Sequence, residues 1–486
     1  QIDPDDFSFY EQMKVAPPTW FPECRLRRRM AWQGYRFLYK RKCDFTGEAV
    51  ISTIPPDSSH RVYRQDIWWS DKWDPKSYGR DYDPARPFFD QWRELQLAVP
   101  LPALMTDYST MVGSEYCNAA SNLKNCYLCF RISGGEESAY LNLAVDAKHS
   151  FDCFNINHSE LCYSSVNISK CYQTFFSQDC EDCHDVWYSR DLVGCSNCYG
   201  CINLRKKSYC IFNEQYSKEE YEKRIKTFDP KQAEEFFLTQ PRRQFHGVKN
   251  QDVRGDYIWT SKNVHDSFML RNGENLRYCQ LLKDGPSANS YDWTLFGDDA
   301  EWIYDSCWVG WNMNNVKFSS WCYKCHDLEY CFGCHGAGNL FGCVGIRGGE
   351  YCILNKPYSK NDYQQLVKKI KAEMGEEYGA MISAAFSPWP YNEAVGYEWF
   401  SMTKEEALEK GLNWRDPDKR EWGQAHDDIM KCDECGRNYQ LIGKEIQFLE
   451  RFYLSKPDRC PLCRDRSRIR QLNPIAIYNR KCAKCS

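Results

Sequence analysis

The middle of the chain repeats itself, and that repeat restricts the fold more than any other feature. Residues 180–221 match 322–363 at a constant offset of 142. Cys180, Cys183, His184 and Asp185 fall on Cys322, Cys325, His326 and Asp327. Gly200-Cys201 falls on Gly342-Cys343, and Tyr209-Cys210-Ile211 on Tyr351-Cys352-Ile353. Asn213, Tyr216, Ser217, Lys218 and Tyr221 recur as Asn355, Tyr358, Ser359, Lys360 and Tyr363. Inside each half runs a shorter rhythm, in which a polar turn leads to a Cys or aromatic position. The series is Asn125-Cys126-Tyr127, Ala139-Tyr140, Ser150-Phe151, Leu161-Cys162-Tyr163, Lys170-Cys171-Tyr172, Asp182-Cys183, Gly194-Cys195 and Tyr209-Cys210, spaced 9 to 15 residues apart. Short strands broken by Asn, Ser, Gly and Asp turns at this interval predict an all-β repeat. A β-solenoid fits best, because each short rung buries its inward side chains only when stacked on its neighbours. The expected architecture is mainly β, a Cys/Tyr-rich β-solenoid (β-helix) in two related halves, 111–215 and 251–357. Cys, Tyr, Phe and Leu are expected inside, with two segments to a coil.

Each half is expected to end in a capping helix, within 216–250 and 358–430. Ser217-x-x-Glu220 and Ser359-x-x-Asp362 have capping-box spacing and open helices near 218–227 and 360–374. Thr403-x-x-Glu406 opens a third, stopped by Gly411. Residues 81–110 read as a linker and entry to the solenoid.

The two ends carry a second duplication. At an offset of 439, residues 1–47 fall on 440–486 without a gap. Phe9 lands on Phe448, Pro22 on Pro461, Cys24 on Cys463, Tyr39 on Tyr478 and Cys43 on Cys482. Arg25, Arg27 and Arg29 land on Arg464, Arg466 and Arg468. The C-terminal copy, in a module spanning 431–486, has Cys432-x2-Cys435-x24-Cys460-x2-Cys463. Two CxxC knuckles so spaced predict a zinc ribbon with Zn2+ held by four thiolates. Cys482-x2-Cys485 opens a further, incomplete knuckle. The N-terminal copy, within 1–80, has Phe21 where Cys460 would stand and Thr46 where Cys485 would stand. It reads as a degenerate zinc-ribbon-like module held by aromatic packing.

Three CxxCH strings complete the chemistry: Cys180-x2-Cys183-His184, Cys322-x2-Cys325-His326 and Cys331-x2-Cys334-His335. Each has the form of a c-type haem attachment motif, so a multihaem cytochrome is one reading. All three lie within the repeat, among CxxC strings that lack a His, such as Cys126–Cys129, which favours a buried thiol ladder. The Arg-rich stretches after Cys24 and Cys463 suit phosphate contacts, so RNA is one candidate partner. They equally suit a protein interface or an acid-paired face. A net charge of −4 argues against a wholly basic nucleic-acid binder. The acids Asp292, Asp298, Asp299, Glu301 and Asp305 cluster in the middle with no Lys or Arg among them. No P-loop, dinucleotide fingerprint, HExxH or GxSxG is present, and the chain is not expected to be an enzyme. No apolar run reaches membrane-spanning length. A cytoplasmic compartment is expected, because paired CxxC knuckles favour metal sites and buried thiols over disulfides.

Specific stretches resemble the uncharacterised Cys-rich zinc-ribbon repeat proteins of candidate-phyla (CPR/Patescibacteria) bacteria. They are Pro22-Glu-Cys24-Arg-Leu-Arg, Tyr39-Lys-Arg-Lys-Cys43, Trp68-Trp-Ser-Asp-Lys-Trp-Asp74, Phe88-Phe89 and Cys195-Ser-Asn-Cys198-Tyr-Gly-Cys201. Asn213-Glu-Gln-Tyr-Ser-Lys-Glu-Glu-Tyr221, Thr403-Lys-Glu-Glu-Ala-Leu408 and the terminal ribbon extend the resemblance to nearly the whole chain. It implies a second paired knuckle just before the Trp-Trp motif, where this chain has Arg64 and Ile67 instead. The family has no established activity, so the resemblance implies ribbons and repeats rather than chemistry. The resulting expectation is a non-catalytic zinc-binding scaffold that meets a protein or RNA partner. Equivalent modules at both ends make end-to-end association of copies an expectation as well.

Overall fold

The computed structural model describes residues 2–282, 285–416 and 429–482. The chain divides into two compact units: Gln1–Ala103 with Arg243–Arg415 and Pro474–Ser486, and Leu104–Arg242 with Asp416–Asn473. The first is called unit 1 and the second unit 2. Each is built on one β-solenoid with a terminal module packed on its side.

In unit 2 the solenoid runs from Met111 to Gln215 as an eleven-stranded sheet. Its strands pair in parallel at a register of twelve residues, Asn142 with Phe154 and Phe154 with Val166. The backbone explains that number. Every third residue from Ala119 to Phe212 has a positive φ, without a break. Each such residue turns the chain, so a coil closes after four triplets, half the length expected from the spacing of aromatic and Cys segments. Asn, Asp and Gly recur at these corners because they tolerate the left-handed region best.

The residue two places before each corner points inward. The core of this solenoid is Cys117, Ala120, Leu123, Cys126, Cys129, Ile132 and onward in steps of three to Cys210. Ser138, Ser150, Ser159, Ser165, Thr174, Ser177 and Ser189 fill most of the steps left by the apolar residues and are also buried. A bore only four side chains round takes Cys, Ser and Ala together with Leu and Ile, and excludes aromatic rings. Cys and Ser also solve a polar problem, since each inward hydroxyl or thiol meets backbone groups that the tight corner leaves free. The Ser150 hydroxyl donates to the Lys148 carbonyl (2.7 Å) and accepts from the Cys162 amide one coil later (3.1 Å). The Cys153 thiol donates to the Phe151 carbonyl (3.3 Å).

Tyr and Phe do not line the bore, contrary to the expectation from sequence. They stand one or two places after the inward residue and form an outer stripe. Tyr140, Phe151, Tyr163 and Phe175 pack there against Phe448, Leu449 and Cys460 of the terminal module.

Unit 1 repeats the plan from Gln251 to Pro357. Its inward residues include Val264, Leu270, Leu276, Cys279, Val316, Cys322, Cys325 and Leu328. The coil swells where large residues enter. The offset is twelve between Asn263 and Asn275 but fourteen between Leu276 and Ser290, just ahead of inward Trp293. Both solenoids close with an antiparallel hairpin, Cys210 opposite Gln215 and Cys352 opposite Pro357. The expected helices follow at Lys218–Arg224 and Lys360–Met374. The Ser217 and Ser359 hydroxyls accept the Glu220 and Asp362 amides. The full reciprocal box forms at Thr403 with Glu406. A second helix, Pro230–Thr239, lies within the 216–250 region expected to hold capping helices, whereas the helix Phe88–Ala98 falls where a linker was expected.

The narrow bore sets a clear expectation. Ala147→Leu places a large side chain at a fully buried step and should destabilise unit 2 by about 1–3 kcal/mol. Tyr172→Ser, on the outer face, should change stability by no more than about 0.5 kcal/mol. Urea unfolding of both variants distinguishes them, and equal effects would refute the inward assignment.

Candidate metal centre and the arginine helices

The terminal module of unit 2 starts with a hairpin, Met430–Lys431 paired to Asn438–Tyr439. The knuckle at its tip follows from backbone bonds. The Cys432 amide donates to the Arg437 carbonyl (2.9 Å), and Gly436, with φ near 70°, donates back to the Cys432 carbonyl (2.9 Å). Cys435 stands on this tip, while Cys460 caps the helix Pro461–Ile469 that carries Cys463 in its first turn. The Asp433 amide donates to the Asp458 carbonyl (3.1 Å) and ties the knuckle to that helix.

All four sulfurs lie within 4.8 Å of one another. Cys435 Sγ and Cys460 Sγ are 3.8 Å apart. A tetrahedral shell with metal–sulfur bonds of about 2.3 Å has edges of about 3.8 Å, so the spacing fits a four-thiolate site. Burial raises the Cys432 thiol, but the amides of Cys460, Cys435 and Glu434 outweigh it and hold that thiol down to about 6. Amides aimed at sulfur favour the thiolate, the form that binds metal. The Cys432, Cys435, Cys460 and Cys463 cluster can therefore hold a metal ion. Cys482 is exposed, and Cys485 lies outside the described residues.

Unit 1 contains the same frame with one of the four cysteines, Cys43. Tyr39–Lys42 pairs with Ala49–Ser52, and the Cys43 amide donates to the Glu48 carbonyl (2.8 Å). Gly47 donates to the Cys43 carbonyl (2.8 Å), and Asp44 to the Val62 carbonyl (2.8 Å). Bond for bond this is the Cys432 knuckle, with Cys43, Thr46, Arg64 and Ile67 where the four cysteines stand. The Arg64 amide donates to Cys43 Sγ (3.3 Å). Its guanidinium turns away to Asp66 (2.7 Å twice) and Glu48. An ion pair thus ties the loop to the helix where the other frame has thiols.

The arginines that the sequence offers to phosphate are mostly inside the protein. The helices Pro22–Met30 and Pro461–Ile469 match at the offset of 439. In unit 2, Arg464 pairs with Glu445 (2.7 Å) and Asp152, and Arg468 with Asp152 (3.1 Å). In unit 1, Arg25 pairs with Asp292 (2.8 Å), and Arg29 reaches Asp292 (2.9 Å) and Asp305 (3.3 Å). Arg28, which the sequence reading passed over, pairs with Asp305 (2.5 Å). Arg25, Arg29, Arg464 and Arg468 are 4%, 0%, 6% and 2% exposed. Their charge is neutralised within the chain, and they offer nothing to an external phosphate. Arg27 is partly exposed and pairs with Glu23, and Arg466 is partly exposed.

The acceptors have a signal in the sequence. Asp152, Asp292 and Asp305 all sit at left-handed corners of a solenoid. Each follows an aromatic residue, as Phe151-Asp152, Tyr291-Asp292 and Tyr304-Asp305. Phe448 packs on Phe151 (centroids 4.9 Å), and its counterpart Phe9 stacks on Tyr291 (3.9 Å). Each terminal module therefore docks on its own solenoid in one way, aromatic on aromatic and arginine on aspartate.

The CxxCH strings find a different explanation from haem. Cysteines three apart are successive inward residues, so Cys180, Cys183, Cys322, Cys325, Cys331 and Cys334 all point into the bore and are at most 2% exposed. A bore filled by four side chains per coil has no space for a porphyrin beside those sulfurs. His184 and His326 face outward, whereas His335 is buried among Trp68, Trp69, Trp321 and Tyr323. Burial, with Arg347 nearby, pushes His335 down to about 3. Burial also pushes the Cys153, Cys279 and Cys307 thiols up to about 12, as expected of inert core thiols.

No protein-family model matches the chain, and no curated protein does. Among solved structures, the chain is matched to a protein from Desulfovibrio desulfuricans G20 whose crystal structure is assigned to an acetyltransferase. The identity is 11% over 55% of this chain and 82% of the other, with a TM-score of 0.11. A likeness that slight informs neither the fold nor the chemistry.

Two expectations follow for the docking charges. Asp152→Ala removes one of two carboxylates from each of two buried guanidiniums, leaving Arg464 with Glu445 and Arg468 with Asp465 (3.5 Å), and should cost about 3 kcal/mol in unit 2 by denaturant unfolding. Burial raises the Asp305 carboxyl, but Arg28 and Arg29 draw it below the usual range. Its stabilising contribution is therefore present above the unfolded value of about 3.9 and is lost as pH falls through the lower folded value. Unit 1 should hold its stability down to about pH 4 and lose it below. Asp305→Asn should flatten that acid limb, and an unchanged limb would refute the assignment.

Proposed function

We propose that the protein is a non-catalytic scaffold, with a structural Zn2+ at Cys432, Cys435, Cys460 and Cys463 and a protein partner on its repeat surface. The observation that carries the reading is the closed ligand set. Four thiolates fill a tetrahedral shell and leave no position for a substrate or an activated water. The outward rows suit protein recognition. Lys124, Glu136, Lys148 and Glu160 stand in register on successive coils and form a row of alternating sign. Mixed rows of this kind repel a polyanion less than an acidic surface but attract it less than a basic one, so they favour a protein over RNA.

The reading is tested by elemental analysis with an absorption spectrum. One zinc per chain and no visible band is the expected result. A Soret band, or a metal-free protein whose unit 2 melts unchanged after Cys435→Ser, would overturn it. Salt-sensitive RNA binding would replace the protein partner with a nucleic acid. Association of copies should show as dimers or longer species by mass photometry at micromolar concentration.

A further inference from the structure

Unit 1 contains a cleft of about 500 Å3 lined by Gln12, Met13, Lys14, Trp302, Asn315 and Lys317. Its charge is unbalanced. Lys317 lies on the solenoid strand Met313–Lys317 and is only 5% exposed. Its carboxylate partner is Glu329, one coil on, at 3.4 Å. That carboxylate is already engaged, because Lys371 holds the same oxygen at 2.6 Å and the Tyr378 hydroxyl donates to the other at 2.9 Å. Two ammonium groups thus share one carboxylate. Lys14, at the left-handed end of the helix Phe7–Met13, brings a further positive charge to the cleft. Burial lowers the Lys317 pKa, Glu329 opposes this, and Lys371 and Lys14 add to the lowering. None of the lining residues is acidic. Trp302, stacked on Phe9 with centroids 6.4 Å apart, supplies a flat aromatic wall.

We propose that this cleft binds a phosphorylated small molecule with a planar ring, of nucleoside-monophosphate size, its phosphate between Lys14 and Lys317 and its ring against Trp302. A nearly buried ammonium without a counter-charge of its own is unfavourable, and an anion in the cleft supplies that charge. Lysine binds phosphate as a point charge, and an aromatic face stacks on a base of any sequence. The volume lies in the range of small-ligand sites. The site is separate from the cysteine cluster and does not depend on its metal.

The test is isothermal titration calorimetry on the full chain with adenosine 5′-monophosphate, adenosine and inorganic phosphate. The monophosphate should bind, and each half of it alone should bind at least about tenfold more weakly, because each lacks one of the two contacts. Lys14→Ala, at an exposed position, should weaken the monophosphate at least about fivefold with no change in melting temperature. Lys317→Met should weaken it further. Three results would each overturn the proposal: no binding of the monophosphate below millimolar concentration, adenosine or phosphate alone binding as tightly as the monophosphate, or an affinity unchanged by Lys14→Ala.

Discussion

A backbone that turns every third residue is the constraint from which the rest of this molecule follows. Left-handed φ costs a non-glycine residue roughly 1–2 kcal/mol, yet unit 2 adopts it without a break from Ala119 to Phe212. The parallel ladder between coils and the inward hydroxyl and thiol bonds offset that strain. The result is a coil of twelve residues with a bore four side chains wide. Such a bore selects Cys, Ser, Ala, Leu and Ile over Phe and Tyr. The unusual content of 28 Cys is thus a consequence of geometry more than of metal chemistry.

The same corners decide where the terminal modules sit. Asp tolerates a left-handed corner better than most side chains, and a corner points its carboxylate away from the bore. Asp152, Asp292 and Asp305 are such carboxylates, and the arginine helices close over them. A buried ion pair of this kind adds little net stability over apolar packing, but breaking one partner is severe. Its value here is placement: aromatic stripes alone would let a helix slide along the coil, whereas Arg464 on Asp152 or Arg29 on Asp292 allows one seat.

Much of this was legible in the sequence, though not all at the right resolution. The two duplications, the solenoid, its closing helices and the cysteine cluster can be read from spacing. The triplet was visible too, since Cys162, Cys171, Cys183, Cys195 and Cys210 are separated by 9, 12, 12 and 15 residues, all multiples of three. It was hidden by treating Cys and its following aromatic as one inward unit, as in Cys162-Tyr163. Only the first of that pair enters the bore. The CxxCH strings arise from the same step, because an inward period of three produces CxxC wherever two neighbouring steps are Cys, which is the buried thiol ladder that the sequence favours. The fate of Arg25, Arg29, Arg464 and Arg468 was not legible, because a basic run looks alike whether it faces solvent or three aspartates far away in sequence.

The two ribbon frames show what a metal can and cannot contribute to docking. Around Cys43 every backbone bond of the Cys432 knuckle is present, yet Arg64, Asp66 and Glu48 stand in for thiols. The knuckle is therefore satisfied by its own amides and carbonyls, and the cross-link from loop to helix can be ionic or metallic. At Cys432 that cross-link ends on Cys460 and Cys463, at the start of the helix that bears Arg464 and Arg468. A metal bound by those four cysteines would fix the helix whose arginines reach Asp152. In unit 1 the helix bearing Arg25 and Arg29 begins at Phe21-Pro22, with Phe21 where Cys460 stands, and makes the same arginine–aspartate contacts. A metal at the cysteine cluster would thus act on the fold at one remove, through the direction of a helix, while the contacts that hold module to solenoid are the arginines themselves.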